Sequence, residues 1–495
     1  MLPVPKTPPA AVVRGLLPFL AASAAWAAWA ALPALAAAAE RSVPGDHATI
    51  AEALATSAAG DAVVVAGGTY AEHDLELPGG VTLRARTGDD VVIDAATDGR
   101  HLVVRAGGES VLESIRFVNG ITLDRRRRDG GSLRVDRDAH LTLRDCSFSG
   151  MHSSHYGGTI ACEPGAVLTL ERCTFEDSRA TRNLSGRETA KRHLARDSMA
   201  DGGVIHLGRR TKLDATDCRF AGAYAKDGGG AIFIDVDGAA TLTNCSFENG
   251  ASMEGGAISG KGAAIELVDC SFVGNRTERT FRSPARGGAL FLEEGSLRVT
   301  GGSFEANVAD QGGAIYLFRT SSASFDGALF AADTASGGGG ALMAIDVPVT
   351  ITHSVFRDNV AAKTSGGAIL FGKATLGLDH CTFHANVAAQ DGSAIYVSTP
   401  IDVKLERCIV SAGRGASALD GLDGRTMELS CCNVFGNEGG DWVRDLADQA
   451  GRAGNVSADP RYRNAKEGDL TLADDSPCRN AKDCGPIGAD RTVGR

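Results

Sequence analysis

Aromatic side chains are scarce in this sequence, at 5% of 495 residues, whereas glycine occurs 63 times. That pairing argues against a helical protein and for many short strands joined by tight turns. A surplus of cations is also missing. The formal charge of -11 excludes a generally basic nucleic-acid binder and leaves room only for local basic patches. There is no Gly-x-Ser-x-Gly elbow, phosphate loop or zinc-ligand spacing. No cysteine precedes Cys146, so a lipid-modified N-terminal cysteine is excluded. What is present is 43% hydrophobic residues, enough for a large core.

The organising unit runs from Gly229 to Phe272. Gly-Gly-Ala-Ile opens a short apolar strand, a turn and an alternating strand follow, and then Cys-Ser-Phe, a small polar turn and Gly-Gly-Ala-Ile again. The position two before the phenylalanine is Cys146, Cys173, Cys218, Cys245, Cys270, Gly302, Ala328, Ser354, Cys381 and Cys408, a period near 26 with two insertions. Such a period suits three short strands and three turns. It is too short for a propeller blade and lacks the helical half of a leucine-rich repeat. The expected fold is therefore all-β, a single-stranded right-handed parallel β-helix with coils stacked about 4.8 Å apart. Residues 1–39 read as a signal peptide, with Lys6 and Arg14 before an Ala-rich apolar run that ends in Ala37-Ala38-Ala39. The alternative is an uncleaved anchor. Residues 40–113 form an N-terminal cap and first coils, 114–437 the repeats and 438–495 a closing segment. The cap begins with a short helix started by Asp46 or His47, with Ile50, Ala53 and Leu54 inward.

Columns follow from stacking. Equivalent cysteines would place their Cβ atoms about 4.8 Å apart, wider than a disulfide prefers, so they are read as small buried hydrophobes. Cys478 and Cys484 flank a turn and form the disulfide candidate, with Cys431 facing outward. Asn249 or Asn275, Asn307, Asp333, Asn359, Asn386 and Asn437 form a polar column able to hydrogen-bond along the stack.

Gly-Gly-Ala-[Ile/Leu] alternating with Phe-x-x-Asn, as in Phe272 to Asn275 and Phe356 to Asn359, resembles the repeat pair of the chlamydial polymorphic outer-membrane-protein family. The C-terminal Ser-Ala-Asp-Pro, Asp-Ser-Pro and Ile-Gly-Ala resemble the tail of bacterial secreted pectin-lyase-like β-helix proteins, as does the opening GDAVVVAGGTY. The resemblance implies this fold and export. It implies no particular reaction.

Candidate chemistry gathers at one edge. Basic insertions fall between the Phe turn and Gly-Gly: one around Asp124 to Asp129, one carrying Arg182, Arg187 and Arg192, and one with Arg279 and Arg282. His152, His155 and Tyr156 share that edge, and His152, His155, His193 and His206 are the acid–base candidates. The outward position after Gly-Gly reads Ala161, His206, Phe233, Ser259, Phe291, Tyr316, Met343, Leu370 and Tyr396, an apolar and aromatic stripe suited to sugar faces or a protein partner. Asp235-x-Asp237 is a lone calcium signal, and no other cofactor is indicated. The Asp-Asp or Asn-x-Asp set with His-Gly and a basic triad found in polygalacturonases does not occur. These residues lead to a secreted or surface-exposed β-helix that binds a polysaccharide or surface polymer without catalysis. It would have no nucleic-acid partner and no integral membrane domain after signal cleavage. The alternative is a polysaccharide lyase or glycoside hydrolase acting on an acidic glycan.

Overall fold

Most coils pass through four sheets, whose strands pair in parallel with the equivalent strands above and below. The computed structural model describes residues 38–122, 129–181, 200–279, 283–422 and 426–489; the leader read over 1–39 lies almost wholly outside them. Among the described residues the sheets hold 15, 14, 13 and 10 strands, wound as a right-handed parallel β-helix. The coil containing the organising unit shows the order. Ile232–Ile234 belongs to the sheet that follows Gly-Gly, here the Gly-Gly sheet. Ala239–Thr243 belongs to the long sheet, Ser246–Glu248 to the Phe sheet and Ala251–Ser252 to a sheet of two-residue strands. This last sheet corrects the three-strand expectation. Two residues carry no readable period, yet ten such strands stack in register.

The Gly-Gly doublet has a steric basis. Gly229 has φ +62°, and a Cβ there would lie 2.1 Å from the Ile232 carbonyl oxygen. A Cβ on Gly230 would lie 1.9 Å from the Gly256 oxygen of the next coil. Glycine fits this turn without strain, and within the repeats only the last coils depart from it, with Gly392-Ser393 and Ala416-Ser417 in the equivalent places.

Inside, the phenylalanines from Phe117 to Phe383 form one stack of parallel rings, with centroids such as Phe272–Phe304 4.7 Å apart. The cysteine column is buried and unbridged. Its thiols donate to carbonyls, for example Cys245 Sγ to Ala215 O at 3.5 Å. Ser354 keeps the pattern by donating to Thr352 O. The polar column contains Asn275, while Asn249 is exposed one coil earlier. From Asn275 to Asn359 each backbone N–H in that column donates to the next side chain, as Asn275 N does to Asn307 Oδ1 at 3.0 Å. The side-chain amide returns to the coil behind, as Asn359 Nδ2 does to Phe330 O at 3.0 Å.

Both ends are closed. The helix is Ile50–Ala55, and its N-cap is Thr49, not Asp46 or His47. Asp46 instead accepts from Ser42 N and Oγ, while Thr49 Oγ1 accepts from Glu52 N at 3.1 Å. Gly68–Tyr70, which the glycine pair Gly67-Gly68 in the sequence would suggest as a turn, is a strand paired with Val91–Ile93. At the far end Leu446 and Trp442 pack on the last coils. The chain then folds back over the outer surface of the Phe sheet. Leu470 and Tyr462 cover Leu329 and Val355, and Ile487 and Cys478 cover Ile409.

That return corrects the disulfide assignment. Cys484 is bonded to Cys431, 53 residues away with Cα atoms 5.5 Å apart, not to Cys478. Cys478 is fully buried and receives a hydrogen bond from Asn433 Nδ2. Packing against Ile409 and Ile487 turns it away from the surface where Cys431 and Cys484 meet.

Candidate functional site

The outward stripe of the Gly-Gly sheet is continuous in register. Arg134, Ala161, His206 and Phe233 stand on successive strands, followed by Ser259, Phe291, Tyr316, Met343, Leu370 and Tyr396. Its exposure is uneven. Phe291 and Tyr316 are withdrawn from solvent at 4% and 6% exposed, with the Arg286 guanidinium over the Tyr316 ring at 5.4 Å. His206 and Phe233 are partly buried and stacked, with centroids 5.4 Å apart, and Met343 and Leu370 beyond the covered pair are partly buried as well. Tyr396 is half-buried and six coils from Phe233, about 29 Å along the stack. It therefore belongs to a different surface from Phe233.

Tyr156 extends the His206–Phe233 pair sideways. It sits just before Gly157-Gly158, and its ring stacks on His206 at 4.2 Å and meets the edge of His155 at 4.0 Å. His155 Nδ1 lies 3.4 Å from Asp129 Oδ1, which also accepts from Tyr156 N. His155 Nε2 is buried without a hydrogen-bond partner. His152 lies on the neighbouring two-residue strand, its Nε2 against Thr181 Oγ1, and burial lowers its pKa. The structure thus brings His155, Tyr156, His206 and Phe233 together, with His152 alongside. Arg279 is elsewhere and pairs with Asp310 at 3.6 Å. Arg182, Arg187, Arg192, His193 and Arg282 lie outside the described residues, as does most of the first basic insertion.

The described rim of this site is acidic. Asp129, Asp201 and Glu254 each immediately precede a Gly-Gly doublet, Asp227 lies just before another, and Asp235 follows Phe233 by two residues. Of these carboxylates the sequence singles out only Asp129, at the end of a basic insertion, and Asp235, as a calcium ligand. A recurring acid before Gly-Gly was the available signal. Their environments differ. Burial opposes ionisation of Asp129, but the His155 hydrogen bond and charge hold it below its usual value. Asp201, 3% exposed, is pushed up to about 7 by burial and by Asp227, although Gly228 N donates to its Oδ1 at 2.8 Å. Burial, then Asp201 and Asp129, pushes the Tyr156 phenol up to about 12. Burial brings His206 down to about 4, so its ring is neutral at physiological pH. Asp235 and Asp237 gather no metal set: among the described residues no group of three or more His, Cys, Asp or Glu side chains could hold an ion.

With this geometry established, the likenesses to known proteins concern the fold. The family model described as right handed beta helix region matches residues 287–455. No curated protein matches the chain in sequence. Tailspike protein 3 of bacteriophage CBA120 is 13% identical over 77% of this chain, with a TM-score of 0.44; the chain spans only 57% of the tailspike's length. The alginate lyase AlyF-OU02, solved with G6, is 11% identical over 93% of this chain and 97% of its own, with a TM-score of 0.42. A mannuronic-acid-specific polysaccharide family 6 lyase from human gut microbiota is 11% identical over 91% of this chain and 96% of its own, with a TM-score of 0.38.

Proposed function

We propose that this protein binds a polysaccharide across the exposed part of the Gly-Gly sheet, without cleaving it. The observation that carries this reading is the stacked, partly exposed run of rings Tyr156, His206 and Phe233, bordered by Asp129 and Asp235. Aromatic faces stack on the C–H faces of pyranoses, and carboxylates accept from sugar hydroxyls. Binding is favoured over catalysis because Asp201, the carboxyl tuned near neutrality, is buried and already accepts from Gly228 N. The test is a glycan array followed by calorimetry. Tyr156→Ala and Phe233→Ala should each weaken binding about tenfold or more, in line with loss of one stacking contact. Unchanged affinity in both variants would remove the proposal.

A second reading is favoured by the Asp129–His155 contact beside Tyr156, an orienting carboxylate, an imidazole and a phenol in sequence. It makes the protein a polysaccharide lyase or hydrolase at the same place. Release of unsaturated or reducing-end products from uronic-acid polymers, abolished by His155→Asn, would establish it. Either reading has the protein exported, which agrees with the Cys431–Cys484 disulfide. The mature N-terminus should then be Glu40, readable by sequencing exported protein. Among the described residues no helix is long and apolar enough to cross a membrane.

A further inference from the structure

The opposite border of the same sheet, where the chain turns into the long sheet, carries a second and differently charged feature. Arg137, Pro164, Arg209, Arg210 and Asp237 line a cavity of about 410 Å³ there. Strand register fixes their order. Val135, Cys162, Leu207 and Ile234 pair in sequence on the Gly-Gly sheet, as do His140, Val167, Lys212 and Ala239 on the long sheet. Arg137, Pro164, Arg209 and Val236 are therefore one column of the corner, and Asp138, Gly165, Arg210 and Asp237 the next. Backbone bonds confirm the stacking, Gly165 N to Arg209 O at 3.0 Å and Arg210 N to Val236 O at 3.2 Å.

The three arginines differ from most others in the molecule. Arg41, Arg105, Arg116, Arg172, Arg219 and Arg407 all pair with carboxylates. Arg137, Arg209 and Arg210 are exposed and make no ion pair with the described residues, although the chain has a net charge of -11. Asp237 lines their cavity and Asp138 stands in the same column, so three guanidiniums face two carboxylates and the cluster retains positive charge. Arg137 and Arg209 stand two coils apart, about 9.6 Å along the stack, with Pro164 as an apolar step between them. Alternate sugars of an extended acidic polysaccharide repeat at a comparable distance.

We propose that this corner is a binding site for an anionic polysaccharide lying along the stack, with Arg137, Arg209 and Arg210 holding its carboxylate or sulfate groups. Guanidinium forks match both groups bidentately. Nucleic acid is a poorer fit, because no aromatic side chain lines the corner to stack a base. The site stands on its own residues, whether or not the rings across the sheet bind sugar.

The experiment titrates polygalacturonate, heparin and an oligothymidylate separately into the full chain by calorimetry, at low and at physiological salt. The substitutions lie on exposed turns, so the triple variant Arg137→Gln, Arg209→Gln, Arg210→Gln should melt like the parent. It should bind polygalacturonate or heparin about tenfold more weakly, the sum of three exposed ion pairs, and with a flatter salt dependence. The polymer with the larger loss identifies carboxylate or sulfate as the ligand group. Asp237→Asn should strengthen binding. The control Arg452→Gln, Arg461→Gln, Arg463→Gln alters arginines already paired with Asp448, Asp475 and Asp474 and should have little effect. Unchanged affinity in the corner variant, an equal loss in the control, or tighter oligothymidylate binding through the same arginines would each overturn the proposal. Tyr156→Ala measured alongside separates this outcome from failure of the aromatic face.

Discussion

Asp333 is the one acid among the amides of its buried column. Its Oδ1 accepts from Asn307 N at 2.8 Å, as the neighbouring amide oxygens do, but its Oδ2 is buried with no partner. Burial raises its pKa well above the ordinary carboxylate value, so the folded protein holds it neutral. A carboxyl with a raised folded pKa contributes stability fully present below its unfolded pKa, about 3.9, and lost as pH rises. Asp333→Asn should therefore stabilise the protein by about 1–3 kcal/mol at pH 8 and much less near pH 4, read from urea midpoints. A gain independent of pH would contradict the assignment. His101 runs the other way. Buried between Ser132 Oγ and the carbonyls of Ile93 and Val118, it is brought down to about 4 by burial. Its unfolded form takes a proton below about 6.5, so stability is lost as pH falls from there towards 4. His101→Phe should be less stable at pH 7 but show a shallower pH slope in that window. The polar column was legible from Asn spacing alone; the protonation of Asp333 was not, because it depends on full burial.

At the level of the element, the phenylalanine stack and the disulfide hold the structure by different means. Phe272 sits between Phe247 and Phe304 with both ring separations below 5 Å. Phe272→Ala should cost about 3–5 kcal/mol in denaturant titration, from lost burial and the cavity left behind. Cys431→Ser should cost up to about 4 kcal/mol by opening a loop of 53 residues, and reductant should produce the same loss in the parent. The stack was readable because every coil repeats it. The disulfide was not, since Cys431 and Cys484 meet only through the fold-back of the chain, and local spacing favoured Cys478. The Gly-Gly turns announced their place in sequence, but the acids before them went unread as a column because Tyr156 and Gly228 interrupt it.

For the whole molecule, the closing segment acts as a cover as well as an end cap. Outward positions of the Phe sheet read Ser246, Ser271 and Ser303 and then Leu329, Val355, Thr382 and Ile409, and this more apolar set is the one covered by residues 462–489, with Ala489 N donating to Thr382 Oγ1. That change from serine to aliphatic was visible in the sequence and points to a covering layer. Truncation after residue 455 should expose these side chains and produce oligomers in light scattering, with a lower melting temperature. A monodisperse truncated monomer would contradict the covering role. The aromatic stripe was legible as a column for the same reason as the phenylalanines. The burial of its middle, from Ser259 to Tyr316, between the less covered His206–Phe233 and Met343–Tyr396 stretches depends on loops whose paths carry no period.

A stack of equal steps is nearly unchanged by moving one coil up or down. A polymer with a commensurate repeat would meet similar contacts after each shift of about 4.8 Å and could creep along the surface. The His206–Phe233 pair escapes this degeneracy because Ala161 stands on one side of it and Ser259 on the other. Two of the smallest side chains in the column thus fix the frame in which a bound chain can sit.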